Sequence, residues 1–160
     1  MVWRSSTTPR DRICAALVYL IPLYDGITYG HFLFAQFPFL TYLKYLLIPL
    51  AIVYSLIPFG LGSLLVFIAL FAGVVRNEKI PHFIRFNTMQ AILISILLAL
   101  ISLIYDVILQ PLIQGFLAEV LYNTIFLGVL AMVGYSVVQS ARGLYAEMPL
   151  ISEASYLQTR

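Results

Sequence analysis

The sequence has very little charge, and this scarcity excludes an ordinary soluble domain. Only 10% of its 160 residues are charged, whereas 62% are hydrophobic, and the mean hydropathy is +0.97. Soluble domains carry about 25% charged residues. A chain this short also cannot bury so much apolar surface in its own core, because small folds leave much of their surface exposed. The composition therefore predicts an integral membrane protein surrounded by the lipid bilayer.

Residues for metal and thiol chemistry are also scarce. The chain has one cysteine, Cys14, and two histidines, His31 and His82. A single cysteine excludes an intrachain disulfide, and a metal site needs several converging ligands. We therefore expect no metal and no other cofactor. Because no basic run of the nucleic-acid-binding type occurs, we also expect no nucleic-acid partner.

Catalytic motifs are missing as well. The sequence contains no G-x-S-x-G, no H-E-x-x-H and no phosphate-cradling loop. Tyr-Asp occurs twice, at Asp25 and Asp106, and intramembrane aspartyl proteases also use two aspartates. The Gly-x-Gly-Asp pattern that those enzymes require is absent, so we predict that the protein is not an enzyme.

The basic N-terminal region resembles the start of a signal peptide. Arg10 and Arg12 precede the uncharged run 13–24. No Ala-x-Ala-like cleavage site follows this run, and no long Ser- and Arg-rich transit extension precedes it. We therefore expect neither a cleaved signal peptide nor a transit peptide.

What the chain does contain is a series of long uncharged runs, and these predict an all-α fold with four transmembrane helices. A helix needs about 20 apolar residues to cross a bilayer, and the runs 86–105 and 120–141 meet this length. We predict an N-terminal tail, a single membrane domain and a C-terminal tail. The tails cover 1–12 and 142–160, the domain covers 13–141, and the spans lie at about 13–34, 56–75, 87–106 and 119–140.

The region before the second span needs a break. As one helix, the uncharged run 45–75 would measure about 46 Å, against a hydrocarbon core of about 30 Å. It contains Pro58, which removes a backbone donor, and Gly60, so we predict a break near residues 55–59. Segment 37–55 is then an interfacial helix, a re-entrant piece or the tilted start of the same helix.

The basic residues predict the orientation. They lie near the N-terminus, in the loop after the second span and near the C-terminus: Arg4, Arg10, Arg12, Arg76, Lys79, Arg85, Arg142 and Arg160. Four crossings place all of them on one face with only Lys44 opposite, whereas five crossings would split them. We therefore predict both termini on the cytoplasm or stroma side. Arg76, Lys79 and Arg85 are candidates for orientation and for binding lipid phosphate.

Asp25 is the most informative carboxylate. If it lies within the hydrocarbon, its charge is costly and marks a functional position. Alternatively, the helix breaks at Asp25-Gly26 and the carboxylate is merely solvated. Gly26 and Gly30 are four apart and predict a small-residue face for close helix packing. Tyr29 lies in the same segment and is a second candidate polar position.

Asn87 and Gln90 are three apart, so they face the same way at the start of the third span. We expect them to bond to a neighbouring helix, with Asn123 as a candidate partner, because polar groups in lipid seek partners inside the bundle. The sharper alternative is that they line a water-filled cavity. Arg85 points nearly opposite to them.

Several segments occur together in a characteristic order. They read YLIPLYDGITYGHFLFAQFP, IPFGLGSLLVFIALFAGVVRN, FIRFNTMQAILISILL and LYNTIFLGVLAMVGYSVV, followed by GLYAEMPLISEA. Over about residues 10–156 the chain resembles the twenty-kilodalton subunit family of the translocon at the inner envelope membrane of chloroplasts (the Tic complex), with its cyanobacterial relatives. The positions that match its motifs are Pro22, Asp25, Gly26, Tyr29, Gly30, Arg85, Asn87, Gln90, Tyr122 and Asn123.

The resemblance implies a four-helix membrane protein that serves protein import as a core or channel-forming subunit. Its location would be the plastid inner envelope, or the plasma or thylakoid membrane of a cyanobacterium. Four spans can hardly enclose a wide pore alone, so we expect a homo-oligomer or other translocon subunits as partners, and a transiting polypeptide. The alternatives are a non-conducting scaffold protein and a small-molecule carrier. The carrier requires Asp25, Asn87 and Gln90 in one wet cavity.

Overall fold

The fold is all-α, as predicted. The computed structural model describes residues 7–58, 61–149 and 151–159, and no strand occurs among them. The predicted positions Arg4, Phe59, Gly60 and Arg160 lie outside these residues. The helices are α1 (Pro9–Gln36), α2 (Pro38–Leu46), α3 (Ile48–Ser55), α4 (Gly62–Val75), α5 (His82–Leu109), α6 (Phe116–Ala141) and α7 (Ile151–Thr159).

Three of these helices, α1, α5 and α6, are long and apolar enough to cross a membrane. Helices α2 and α3 pass the same length and composition test together, and they are bent by 57° at Leu47. The described chain thus has three helices that are able to cross a membrane, or four if the bent pair is one span. Segment 37–55 has the geometry of a broken span or a re-entrant loop. Helix α4 is shorter and begins at Gly62 rather than at the expected residue 56.

Helix α1 continues past Asp25 instead of ending there, although it is irregular. Pro22 has no N–H to give to the carbonyl of Val18. That carbonyl accepts instead from the N–H of Ile21, three residues on, at 3.2 Å. A 3-10 turn over Ile27–Gly30 follows before the helix resumes. Because the helix does not end at Asp25, this carboxylate lies inside a helix that is long and apolar enough to cross a membrane.

The predicted small-residue face of α1 is confirmed. A Cβ atom at Gly26 would lie 2.8 Å from Cγ1 of Val129 on α6, and one at Gly30 would lie 2.9 Å from Cζ of Phe126. Both distances are too short for real contacts, so only glycine lets the two helices approach this closely. The core that surrounds this contact also includes Leu98 of α5, which is buried.

Both ends of the described chain lie at the same end of the bundle. A Cβ atom at Gly143, just after α6, would lie 2.6 Å from Oγ1 of Thr7, just before α1. Helix α7 packs against α5, where the ring of His82 bonds to the hydroxyl of Tyr145 at 3.0 Å and to that of Thr159 at 3.3 Å. The tail after α6 therefore folds back onto the start of α5.

Candidate functional site

Two polar regions follow one another along α5. The first is a buried hydrogen-bond network around Asn87 and Gln90, both of which have 0% exposure. The hydroxyl of Tyr19 on α1 donates toward Oδ1 of Asn87 at 2.8 Å and toward Oε1 of Gln90 at 2.9 Å. A hydroxyl has one proton, so the two amides share it. This bond ties α1 to the start of α5.

The other amide atoms also bond within the protein. Nδ2 of Asn87 donates to the carbonyl of Phe83 at 2.8 Å, and its Oδ1 accepts from Oγ of Ser140 on α6 at 3.0 Å. Nε2 of Gln90 donates to the carbonyl of Ala146 at 2.7 Å. The structure thus places both side chains against other helices and segments. With its donors and acceptors engaged, this Asn87–Gln90 network is an anchor rather than a ligand site.

Asn123 does not bond to Asn87 or Gln90, although the sequence suggested it as their partner. It lies on the same helix as Ser140 but precedes it by roughly 26 Å of helix axis, and Ser140 is the residue that reaches Asn87. The Oδ1 atom of Asn123 is buried and has no hydrogen-bond partner among the described residues. The suggested bond between Asn123 and the Asn87–Gln90 pair is therefore wrong.

Arg85 also differs from expectation. It is only 9% exposed, and its Nε donates to the carbonyl of Val75, the last residue of α4, at 2.7 Å. The last carbonyls of a helix lack partners in their own helix and carry partial negative charge, so a buried arginine stabilises them. This Nε therefore serves the protein rather than a headgroup. Arg76 and Lys79 are exposed in the loop, where their interaction with lipid phosphate remains a prediction.

The second polar region is a cavity of about 600 Å³ along the later part of α5. Faces of α1, α4 and α5 line it, with Tyr54 of α3 and Tyr122 of α6. Its carboxyl and hydroxyl groups belong to Tyr24, Asp25, Thr28, Tyr29, Tyr54, Ser63, Ser95, Ser102, Tyr105, Asp106 and Tyr122. We call it the polar cavity. Such a set of polar groups is unusual inside an apolar bundle and marks a candidate functional site.

The two carboxylates lie at different depths in the polar cavity. Asp25 lies beside Ser95 of α5 and near Tyr54. Asp106 accepts from Oγ of Ser102 at 3.3 Å and lies eleven positions after Ser95, which is about 16 Å along a helix. It belongs to the π-helical last turn of α5, Tyr105–Leu109, a type of turn that is frequent at functional sites.

Two buried hydroxyl oxygens of the polar cavity have no hydrogen-bond partner in the part of the chain that the structure describes. Tyr29 is 6% exposed, and its hydroxyl oxygen has no hydrogen-bond partner among the described residues. Oγ of Ser95 is also buried and has no hydrogen-bond partner among the described residues. The ring of Tyr29 packs on that of Tyr122 with centroids 5.3 Å apart, which holds the side chain in place. These groups are positioned to bind a polar ligand.

The two polar regions are separate. Asp25 and Tyr29 line the polar cavity, whereas Asn87 and Gln90 do not. The version of a small-molecule carrier that needed all of them in one wet cavity is therefore wrong. No group of three or more His, Cys, Asp or Glu side chains that could hold a metal ion occurs within the described ranges.

Sequence reasoning overlooked several cavity residues that carry a readable signal. Ser95, Ala99, Ser102 and Asp106 recur at spacings of four, three and four, which is one face of a helix. This stripe of small and polar residues in an apolar span indicates a polar lining. Tyr19 and Ser140 had no such signal, because each is a lone hydroxyl residue whose partner lies on another helix.

Comparisons with known proteins agree with this architecture. The family described as "Chloroplast import apparatus Tic20-like" matches residues 6–155. A Tic20 family protein of Synechocystis sp. is 48% identical, with the alignment covering 100% of this chain and 99% of that protein. Protein TIC 20-v, chloroplastic, of Arabidopsis thaliana is 35% identical over 94% of this chain and 71% of its own length. The Tic20 family protein Ycf60 of Gracilaria tenuistipitata var. liui is 32% identical over 92% and 74%.

Proposed function

The chain belongs to the Tic20-like family of the chloroplast import apparatus, and on this premise we propose that it is a core membrane subunit of a protein-transport complex. Its relatives include chloroplast and cyanobacterial proteins, and the family is a component of an import apparatus rather than an enzyme family. The observation that carries the proposal is the polar cavity. It offers hydroxyl and carboxyl groups to a polypeptide inside the membrane, where lipid offers none.

The size of the polar cavity favours a subunit that works with others. A translocation path must cross about 30 Å of hydrocarbon. The distance along α5 between Ser95 and Asp106 is about 16 Å, so the polar cavity spans about half of that path. We propose that other copies of this chain or other translocon subunits complete the path and form the channel.

The orientation follows from the loop charges. Arg76 and Lys79 lie in the exposed loop at the end of the bundle where α5 begins, and short basic loops stay on the cytoplasmic side. We place both termini on the cytoplasm or stroma side. Asp106, at the far end of α5 from that loop, then lies toward the opposite compartment. The membrane is the plastid inner envelope, or the plasma or thylakoid membrane of a cyanobacterium.

A non-conducting assembly protein is the second candidate. The Asn87–Gln90 network favours it, because this network fixes α1, α5, α6 and the segment before α7 in one arrangement. A rigid frame of this kind suits a scaffold that holds partner subunits. The two candidates differ in whether the moving polypeptide contacts the polar cavity.

Photo-crosslinking tests this difference. A photoreactive residue replaces Ser95 in the polar cavity, and the matched control replaces Leu97, two positions along α5 and 42% exposed toward lipid. With a precursor arrested in transit in native membranes, we expect adducts with the precursor from position 95 and not from position 97. If position 95 forms adducts with partner subunits alone, the scaffold is supported. If every cavity position fails to form an adduct with the precursor, the transport role is refuted.

A further inference from the structure

The charge of the polar cavity is of one sign. Asp25 and Asp106 line it, and no Lys, Arg or His is among the described residues that do. A carboxylate inside a membrane ordinarily pairs with a cation or borders a pathway for one. We infer that the polar cavity binds the cationic side chain of a lysine or arginine in the transported polypeptide, an inference that rests on the proposed function.

The aromatic lining suits the same ligand. Five tyrosine side chains border the polar cavity: Tyr24, Tyr29, Tyr54, Tyr105 and Tyr122. The rings of Tyr24 and Tyr54 lie 4.7 Å apart beside Asp25, and those of Tyr105 and Tyr122 lie 5.0 Å apart at the Asp106 end. The negative faces of aromatic rings attract ammonium and guanidinium groups. Each carboxylate therefore has aromatic rings beside it that reinforce its attraction for a cation.

Hydroxyl groups that have no hydrogen-bond partner within the described ranges add polar contacts. Tyr29 is more than nine-tenths buried and lines the polar cavity with a hydroxyl that no described residue bonds. Oγ of the half-buried Ser95, near Asp25, is itself buried and also has no hydrogen-bond partner among the described residues. A hydroxyl oxygen accepts hydrogen bonds, and an ammonium or guanidinium group carries several donors. These oxygens thus complement the carboxylates in binding a basic group.

The remaining lining favours a long side chain over a bare ion. Apolar residues of α4 and α5, among them Leu64, Phe67, Ile92 and Ile96, form the rest of the wall. Lysine and arginine have apolar stems beneath a charged head, so they match a cavity with apolar walls and charged ends. The volume of about 600 Å³ lies within the range of about 300–1,000 Å³ typical of organic ligands.

The test measures binding of a peptide pair to the full chain in nanodiscs of phosphatidylcholine. One fluorescent peptide carries a single lysine, and the other carries norleucine, which keeps the apolar stem and removes the charge. We expect the lysine peptide to bind about tenfold more tightly, as for a charge-assisted hydrogen bond. Asp25→Asn should remove this preference. Glu78→Gln, which neutralises an exposed carboxylate outside the polar cavity, should leave it unchanged.

Tyr29→Phe provides a second variant with almost the same shape. It removes only the unpartnered hydroxyl, and we expect it to weaken the lysine peptide by about threefold without affecting the norleucine peptide. A preference of about tenfold that neither Asp25→Asn nor Tyr29→Phe reduces would overturn the inference. So would equal binding of the two peptides to the original chain.

A third arm replaces part of the lipid with phosphatidylethanolamine, whose headgroup also carries an ammonium. The protein could retain this lipid only when Asp25 is present and show no preference for the lysine peptide. That result would overturn the inference in favour of a lipid site. The proposed function is judged separately by the adducts from position 95. Precursor adducts together with equal binding of the peptides would refute the cation site and leave the transport role intact.

Discussion

The two halves of α5 carry similar polar residues in different surroundings. From Phe83 to Gln90 almost every side chain is buried, and the amides of Asn87 and Gln90 bond to α1, to α6 and to the segment before α7. From Ser95 to Asp106 the polar face borders a cavity, and hydroxyls at Ser95 and Tyr29 have no bond in the described chain. Polar groups within a membrane are expensive unless they find partners. The half whose two amides bond to other segments is thus structural, and the half whose polar face borders the cavity is the candidate for binding.

The largest loss of stability is expected from a substitution in the first half of α5, the half with the bonded amides, which we call the partnered half. Asn87→Leu removes the acceptor of Ser140 and one of the two acceptors of Tyr19. We expect the free energy of unfolding to fall by about 2–3 kcal/mol, because the buried hydroxyl of Ser140 loses its acceptor and Tyr19 keeps only Gln90. Unfolding in mixed micelles with increasing dodecyl sulfate measures the loss.

Asn123→Leu is the matched control for this change. The same substitution there removes an oxygen that already has no partner among the described residues, so we expect a change within about 0.5 kcal/mol. Ser95→Ala in the polar cavity should be equally mild. Equal destabilisation by the two Asn→Leu variants would contradict the division between a partnered and an unpartnered region.

An intermediate loss of stability is expected at the contact between α1 and α6. This contact supports the wall of the polar cavity beside Asp25. Gly26→Ala would place a methyl group 2.8 Å from Val129, whereas Gly128→Ala on α6 would meet nothing within 4 Å. We expect the Gly26 variant to be about 1–2 kcal/mol less stable than the Gly128 variant, because tight packing resists added volume. The same unfolding titration compares them.

Adding Val129→Ala to Gly26→Ala checks the cause. The smaller side chain removes the atoms that the new methyl group would strike, so the double variant should recover part of the loss relative to Val129→Ala alone. A loss that Val129→Ala leaves unchanged would show that steric contact with α6 is not its origin.

The smallest loss of stability is expected where α4 meets the partnered half of α5. Arg85→Met removes the bond from Nε to the carbonyl of Val75 but keeps most of the apolar stem. We expect a loss of about 1 kcal/mol. Arg76→Met, at an exposed position in the adjoining loop, should change the stability by less than about 0.5 kcal/mol. A reversed order of the two losses would show that Arg85 acts on lipid rather than on α4.

Much of the architecture was readable from local patterns. The spacing of Gly26 and Gly30 predicts a close helix contact, and the structure places Val129 and Phe126 against them. The bonding partners were not readable in the same way. Asn123 was a reasonable guess for Asn87, but chain direction puts it at the far end of α6, and a lone hydroxyl at Ser140 takes its place.

Composition and residue spacing are enough to predict the lipid surroundings of this protein, its helical class and the polar residues that break its apolar runs. These are consequences of composition and period, because a helix satisfies its own backbone and lipid accepts apolar side chains everywhere. Which polar residues act as anchors and which border a cavity depends on how the helices pack together. That distinction depends on whether another helix brings a donor or an acceptor within about 3 Å. Asn87 and Gln90 meet Tyr19 at that distance, whereas the hydroxyl of Tyr29 meets no such partner among the described residues.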